Sequence, residues 1–257
     1  MAVYSETVDP QSPIPPELSK HERQLAHEVV SMYRDGWFPM GEGKDSPIEW
    51  VQPTMRAVLP LEPGAFKVSR TLAQRVRSGR FLVTSDLAFA SVIQACASPR
   101  RIEGEAVDET WITGEIVDIY RVLHRAGLAH SIEAWLPARE ASAPAVLVGG
   151  LYGLVVGGAF CGESMFSRPT LGGTDASKVA LAHLVGHLRR RGFTLLDTQL
   201  ANDHVAQFGM VEIPRAVYLS RLKEAAARSP GWGTFDAASS LANVPEVGAG
   251  PPPTLLA

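Results

Sequence analysis

The stretch Gly153-Leu154-Val155-Val156-Gly157-Gly158-Ala159-Phe160-Cys161-Gly162-Glu163-Ser164-Met165-Phe166-Ser167 carries the pattern from which the fold follows. Two apolar runs meet at Gly157-Gly158, a pair that supplies the positive φ angles of a tight hairpin turn. The second run holds one acid, Glu163, among residues otherwise suited to burial. A carboxylate on an apolar strand costs several kcal/mol unless it finds a partner. Strict alternation places Glu163 with Cys161 and Met165 and sends Phe160 to the opposite face. A bulge at Gly162 would bring Phe160 and Glu163 into one pocket. The ordinary partner for Glu163 is Lys178 or an arginine. The functional alternative is a pocket acid that meets a cationic substrate group.

Working outward, residues 1–16 contain Pro10, Pro13, Pro15 and Pro16 and read as a disordered tail. Leu25, Val29, Met32 and Tyr33 share one face of a helix over Glu17–Arg34, stopped by Gly36. An irregular run with several prolines reaches Pro63 and has room for short strands. Ser69 can cap a helix over Arg70–Ser78, with Gly79 as its stop. A strand at Phe81–Thr84 precedes a helix capped by Ser85 or Asp86 and a second over Thr110–Ala126. Strands at His130–Leu136, Ala145–Val156 and Ala159–Phe166 follow, the last two forming the hairpin. Asp175 stands as N-cap of a helix with Leu181, Leu184, Val185 and Leu188 on one face. Phe193–Gln199 and Met210–Ile213 complete the strands, with a short helix at Asp203–Phe208 between them and a last helix after Pro214. From Ser229 the chain turns Gly/Ala/Pro-rich and reads as a second floppy tail.

This order predicts an α/β (α+β) fold built on a mixed sheet, and it resembles that of the general N-acetyltransferases. We expect a tail at 1–16, a small N-terminal domain at 17–66, an acetyltransferase-like catalytic domain at 67–228 and a flexible tail at 229–257. Acetyltransferases cradle the coenzyme A pyrophosphate in a Gly-rich loop at a helix N-terminus. The matching place, Arg168–Asp175, lacks the spacing and sets Asp175 where phosphate would lie.

The chain has 257 residues, 46% of them hydrophobic, and a net charge of −3. No global positive field draws in nucleic acid, so any such contact needs a local basic patch. Cys96 and Cys161 lie in apolar surroundings and read as buried free thiols. No Cys/His spacing suggests zinc, no signal peptide begins the chain and no stretch is long and apolar enough for a bilayer. The expected location is cytoplasmic.

Asp197 and Gln199 lie two apart on a strand and so face one way, where a carboxylate beside an amide can hold an amine. The bland alternative is that Asp197 ends the strand and caps the next loop. Trp50 and Trp111 can stack on a base, worth about 1–3 kcal/mol, or fill a core. Lys67, Arg70, Arg75, Arg77 and Arg80 crowd one short segment, with Arg70, Arg77 and Arg80 opposite Leu72 and Val76. Arg189-Arg190-Arg191 forms a second cluster, and together the two make a phosphate track credible. His183 and His187 stand four apart without a third ligand and read as helix surface.

Taken together, these segments resemble the leucyl/phenylalanyl-tRNA–protein transferases. The matching stretches include Tyr33-Arg34-Asp35-Gly36-Trp37-Phe38-Pro39, Thr110-Trp111-Ile112-Thr113, Gly162-Glu163-Ser164-Met165-Phe166-Ser167, Ala176-Ser177-Lys178 and Leu196-Asp197-Thr198-Gln199. They fall in family order over residues 30–222. The resemblance implies transfer of Leu or Phe, sometimes Met, from aminoacyl-tRNA to proteins that begin with Arg or Lys, marking them for degradation. It implies no metal and no coenzyme A. It gives Asp197 and Gln199 the reaction centre, and Leu151, Phe160, Leu184 and Leu196 the donor side-chain pocket. Trp50 and Trp111 would contact the terminal adenosine, and Glu163 takes the place of the family's pocket glutamate. For tRNA the candidates are Arg70, Arg75, Arg77 and Arg80. We expect a monomer without membrane association. The family's Trp-Trp pair is here Trp50-Val51 and its Asp-Cys-Gln is Asp197-Thr198-Gln199, with Thr198 expected to point away. Readings from other classes are an N-acyltransferase using acyl-CoA, disfavoured by the missing phosphate loop, and a non-catalytic adaptor for N-terminal residues, disfavoured by Asp197 and Gln199.

Overall fold

The structure, a computed structural model, describes residues 17–43, 46–98, 100–102, 105–107, 110–138 and 144–248. The expected tail at 1–16 and the end of the chain from 249 lie outside the described residues. In chain order the elements are α1 (Lys20–Arg34), β1 (Phe38–Gly41), β2 (Ile48–Val51), β3 (Met55–Leu59), α2 (Arg70–Arg77), β4 (Leu82–Ser85) and α3 (Phe89–Cys96). Next come β5 (Arg100–Ile102), β6 (Glu105–Val107), α4 (Gly114–Arg125), β7 (Ala129–Leu136), β8 (Val146–Val156) and β9 (Ala159–Ser167). The chain continues with α5 (Ala176–Arg191), β10 (Leu195–Gln199), α6 (Asp203–Ala206), β11 (Val211–Pro214), α7 (Arg215–Ala226) and α8 (Ala237–Ala242).

A seven-stranded sheet runs in the order β11-β3-β10-β9-β8-β7-β4. Its β9/β10 pair is parallel and its other pairs are antiparallel, so the expected mixed sheet is present. Two apolar cores cover it. One gathers Val29, Ile93, Ile116, Tyr120, Leu154 and Leu222 from α1, α3, α4, β8 and α7. The other gathers Leu72, Val148, Leu181, Leu184, Leu188 and Leu196 from α2, β8, α5 and β10.

The cap expected at Ser69 forms. Ser69 Oγ accepts the Leu72 N–H at 3.2 Å at the start of α2. Ser19 and Glu22 close a capping box on α1. At the β8–β9 hairpin only Gly157, at φ 60°, takes a positive angle. Other ends differ. The second helix begins at Gly114, capped by Thr113. Neither Ser85 nor Asp86 caps α3, whose N-cap position is Ala88. Asp86 instead accepts the Ser131 N–H at 2.9 Å and holds His130 Nδ1 at 2.7 Å. Asp175 sits at the N-cap of α5 with φ 66° and makes no side-chain cap; its carboxylate meets Lys178 at 3.2 Å.

The boundaries expected at 66 and 229 need correction. β3 lies in the first expected domain, yet it is an inner strand of the large sheet, between β11 and β10. Its Ala57-Val58-Leu59 run is buried and needs both neighbours. Beyond 229 the chain folds back over α5 instead of trailing off. Trp232, Ser240, Val244 and Val247 are buried there. Gly186 permits the approach, because a Cβ would sit 1.9 Å from the Ser240 carbonyl oxygen.

This return explains two further misreadings. His183 and His187 are buried, not on a helix surface. His183 Nδ1 pairs with Ser240 Oγ at 2.8 Å and His187 Nε2 with the Trp232 carbonyl at 3.1 Å. Burial lowers both imidazoles to a pKa of about 4. The Arg189–Arg191 cluster is a clamp on the same segment and not a phosphate track. Arg189 forks onto Glu246, with both bonds at 2.9 Å, and Arg190 and Arg191 donate to carbonyls of Thr234, Pro230 and Gly231.

Candidate active site

Two irregularities open the middle of the sheet. Along β8, Gly153 pairs with Gly162 but Tyr152 pairs with Ser164, so Glu163 is the extra residue of a bulge. Along β10, Asp197 pairs with Val58 and Gln199 with Ala57, so Thr198 is extra. Gln199 takes φ 64° there. The parallel pairing of β9 with β10 ends at Cys161/Asp197, although both strands run on. A cavity of about 1200 Å³ lies at this parting.

Both cores contribute to its wall. Leu151, Phe160, Leu184 and Leu196 line it from one core, together with Leu59, Leu181 and Val205. Met40, Cys96, Trp111, Tyr152 and Phe166 line it from the other. Glu163 and Gln199 line it as well, side by side. The bulge falls at Glu163, one residue beyond the Gly162 expected, and Phe160 and Glu163 reach one cavity. Thr198, expected to face away, lines the cavity because the second bulge breaks alternation; its hydroxyl donates to the Ala57 carbonyl at 3.1 Å.

Glu163 is held by neutral donors. Tyr33 Oη donates to Oε1 and Gln199 Nε2 to Oε2, both at 2.8 Å. Tyr33 Oη also pairs with Tyr120 Oη. Lys178, the ordinary partner expected, is engaged with Asp175 instead. Burial raises the Glu163 pKa to about 7, with the hydrogen bonds from Tyr33, Gln199 and Tyr120 pulling the other way. Tyr152 presents a buried hydroxyl without a hydrogen-bond partner.

Asp197 sits behind the wall. Arg56 forks onto it, Nε to Oδ1 at 2.9 Å and Nη2 to Oδ2 at 2.7 Å. Tyr218 Oη donates to Oδ2 at 2.8 Å, and the Gln199 backbone N–H donates to Oδ1 at 2.8 Å. The Arg56 guanidinium lies between the rings of Phe38 and Tyr218, 4.5 and 4.6 Å from their centroids. Asp197 thus reaches Gln199 through its backbone and not through its side-chain amide. The two do not share a face as alternation required. Sequence reading missed Arg56, Tyr33, Tyr120, Tyr152 and Tyr218. Tyr33 alone carried a signal, a hydroxyl at the end of an apolar helix stripe.

Trp111 lines the cavity, whereas Trp50 stands outside the lining, edge-on to Tyr33 with centroids 6.4 Å apart. None of Arg70, Arg75, Arg77 and Arg80 lines the cavity. Arg70 and Arg77 are exposed beside the returning C-terminal segment, and Arg77 donates to the Val247 carbonyl. Arg75 lies 3.9 Å from Asp175, and Arg80 donates to the Gly172 carbonyl at 3.0 Å. Among the described residues no cluster of three or more His, Cys, Asp or Glu could hold a metal. Among them, too, no helix is long and apolar enough to cross a membrane.

Residues 58–223 match the sequence pattern of the family described as Leucyl/phenylalanyl-tRNA protein transferase. A Leucyl/phenylalanyl-tRNA--protein transferase of Chlorobaculum parvum is 45% identical over 201 residues, covering 78% of this chain and 95% of that protein. One from Novosphingobium aromaticivorans is 46% identical over 231 residues, covering 90% of this chain and 77% of that protein. Among solved structures, FemX aligns with a TM-score of 0.48 at 12% identity, over 73% of this chain and 66% of that one.

Proposed function

Because the chain belongs to the leucyl/phenylalanyl-tRNA protein transferase family, we propose that it moves Leu or Phe from tRNA to the N-terminal amine of proteins beginning with Arg or Lys. It is an aminoacyltransferase, and the transfer would mark the recipient for degradation. The observation that carries the reading is the meeting, in one cavity, of an apolar chamber with the Glu163–Gln199 pair. Leu151, Phe160, Leu184 and Leu196 would take the donor side chain. Trp111 would take the terminal adenosine, and Trp50 packs edge-on against Tyr33, which holds Glu163.

The aminoacyl ester is already activated, so orientation of the amine can supply much of the acceleration. Gln199 gives its amide N–H to Glu163, which leaves its side-chain carbonyl to accept an N–H of the incoming amine. Asp197 is a positioning residue in this reading. Pinned by Arg56 and Tyr218, it fixes the Gln199 backbone at the bulge. Arg70, Arg75, Arg77 and Arg80 would meet tRNA phosphates. We further propose a cytoplasmic monomer.

The test is incubation of the protein with Leu-tRNA or Phe-tRNA and a peptide that begins with Arg. Transfer of the amino acid to the peptide is expected; no transfer from either donor would end the proposal. Leu184→Ala should enlarge the chamber and change the Leu-to-Phe ratio of kcat/KM by about 10-fold or more, the scale on which a hydrophobic pocket discriminates.

A further inference from the structure

We propose that Glu163, and not Asp197, is the group that takes the proton from the acceptor's N-terminal ammonium. This rests on the transferase reading above. An α-amine has a pKa near 8, so at neutral pH most of it arrives protonated and must lose a proton to become a nucleophile. Asp197 is closed to that role. Its oxygens accept from Arg56, Tyr218 and the Gln199 backbone, and it does not line the cavity.

Glu163 differs on every count. It lines the cavity at the parting of β9 and β10, and its hydrogen bonds come from neutral groups. Among the described residues no cation is paired with it; the Arg56 guanidinium is spent on Asp197. The groups that face it are Tyr33 from α1, Tyr120 from α4, Tyr152 from β8 and Gln199 and Asp197 from β10. Cys161, on its own strand, is a thiol whose pKa burial pushes up. Burial in this set raises the carboxyl into the range where it can accept a proton at neutral pH and release it again.

The step balances as follows. The Glu163 carboxylate takes one proton from the ammonium, leaving a neutral amine held by the Gln199 carbonyl. The nitrogen attacks the ester carbonyl carbon and forms the N–C bond. As the carbon–oxygen bond to the ribose breaks, the nitrogen gives up a second proton and the ribose oxygen gains one. Glu163 then returns its proton to water, so each peptide bond made releases one proton. Tyr33 is a positioning residue, because its hydroxyl stabilises the charged form of Glu163.

The experiment follows kcat/KM against pH with Leu-tRNA and two acceptor peptides whose α-amines differ in pKa. The parent protein should show a rising limb near pH 7 that stays in place with both peptides. Glu163→Gln should lose that limb, so that the remaining rise follows the amine, and its rate at pH 7 should fall about 100-fold. Tyr33→Phe should keep the plateau and move the limb to higher pH. A limb that tracks the amine in the parent, or one that persists in Glu163→Gln, or one unmoved in Tyr33→Phe, overturns the assignment. Absence of any transfer by the parent would sink the transferase reading itself, a separate result.

Discussion

Asp197 accepts four hydrogen bonds inside the sheet, two of them from Arg56. Removing it leaves a guanidinium buried without its counter-ion, which typically costs about 3–5 kcal/mol. Asp197→Ala should therefore shift the urea midpoint strongly, and lost activity in that variant reports stability as much as chemistry. Asp197→Asn keeps the shape and should lose less. Glu163 gives a prediction of its own. Its pKa is about 7 folded against 4.5 unfolded, so between those values the native state binds the extra proton. Stability then falls as pH rises from 4.5 to 7, and the cost stays in full above 7. Denaturation at pH 5 and pH 8 should show Glu163→Gln gaining stability relative to the parent at the higher pH only. At this scale the sequence was partly readable. Glu163 stood out because one acid in an apolar run is a local anomaly. Arg56 did not, since its meaning depends on a strand 141 residues away.

Among elements, α5 and the segment that returns over it form the least expected contact. Gly186→Ala would drive a methyl into the Ser240 carbonyl. Overpacking of this kind costs about 1–3 kcal/mol, and hydrogen exchange should rise across residues 230–248. The buried histidines act in the same place. They hold a pKa of about 4 against 6.5 unfolded, so the unfolded chain takes up protons first. Their contribution is present above 6.5 and is lost as pH falls toward 4. Exchange in the returning segment should quicken over that window. Helices with local caps, such as α2 behind Ser69, and the hairpin at Gly157 were legible because their signals lie within a few residues. The returning segment was not, because its Gly/Ala/Pro content masked Trp232 and Val244, whose partners lie on α5 and β7.

For the whole molecule, a net charge of −3 confines tRNA attraction to a local surface. Arg70→Ala and Arg77→Ala should each weaken tRNA binding and lower the slope of log affinity against log salt by about 1, measured by filter binding over a salt series. The mixed sheet could be read from element order, yet the place of β3 could not, because strand order is a long-range property. That place has a consequence for biosynthesis. β3 leaves the ribosome before either neighbour, for these end only at Gln199 and Pro214. Until β10 follows, Arg56 has no counter-ion to meet, and the other edge of β3 waits for β11. The half of the sheet that bears the site cannot close until strands distant in sequence have emerged, and a chain cut before Leu195 lacks both Asp197 and Gln199.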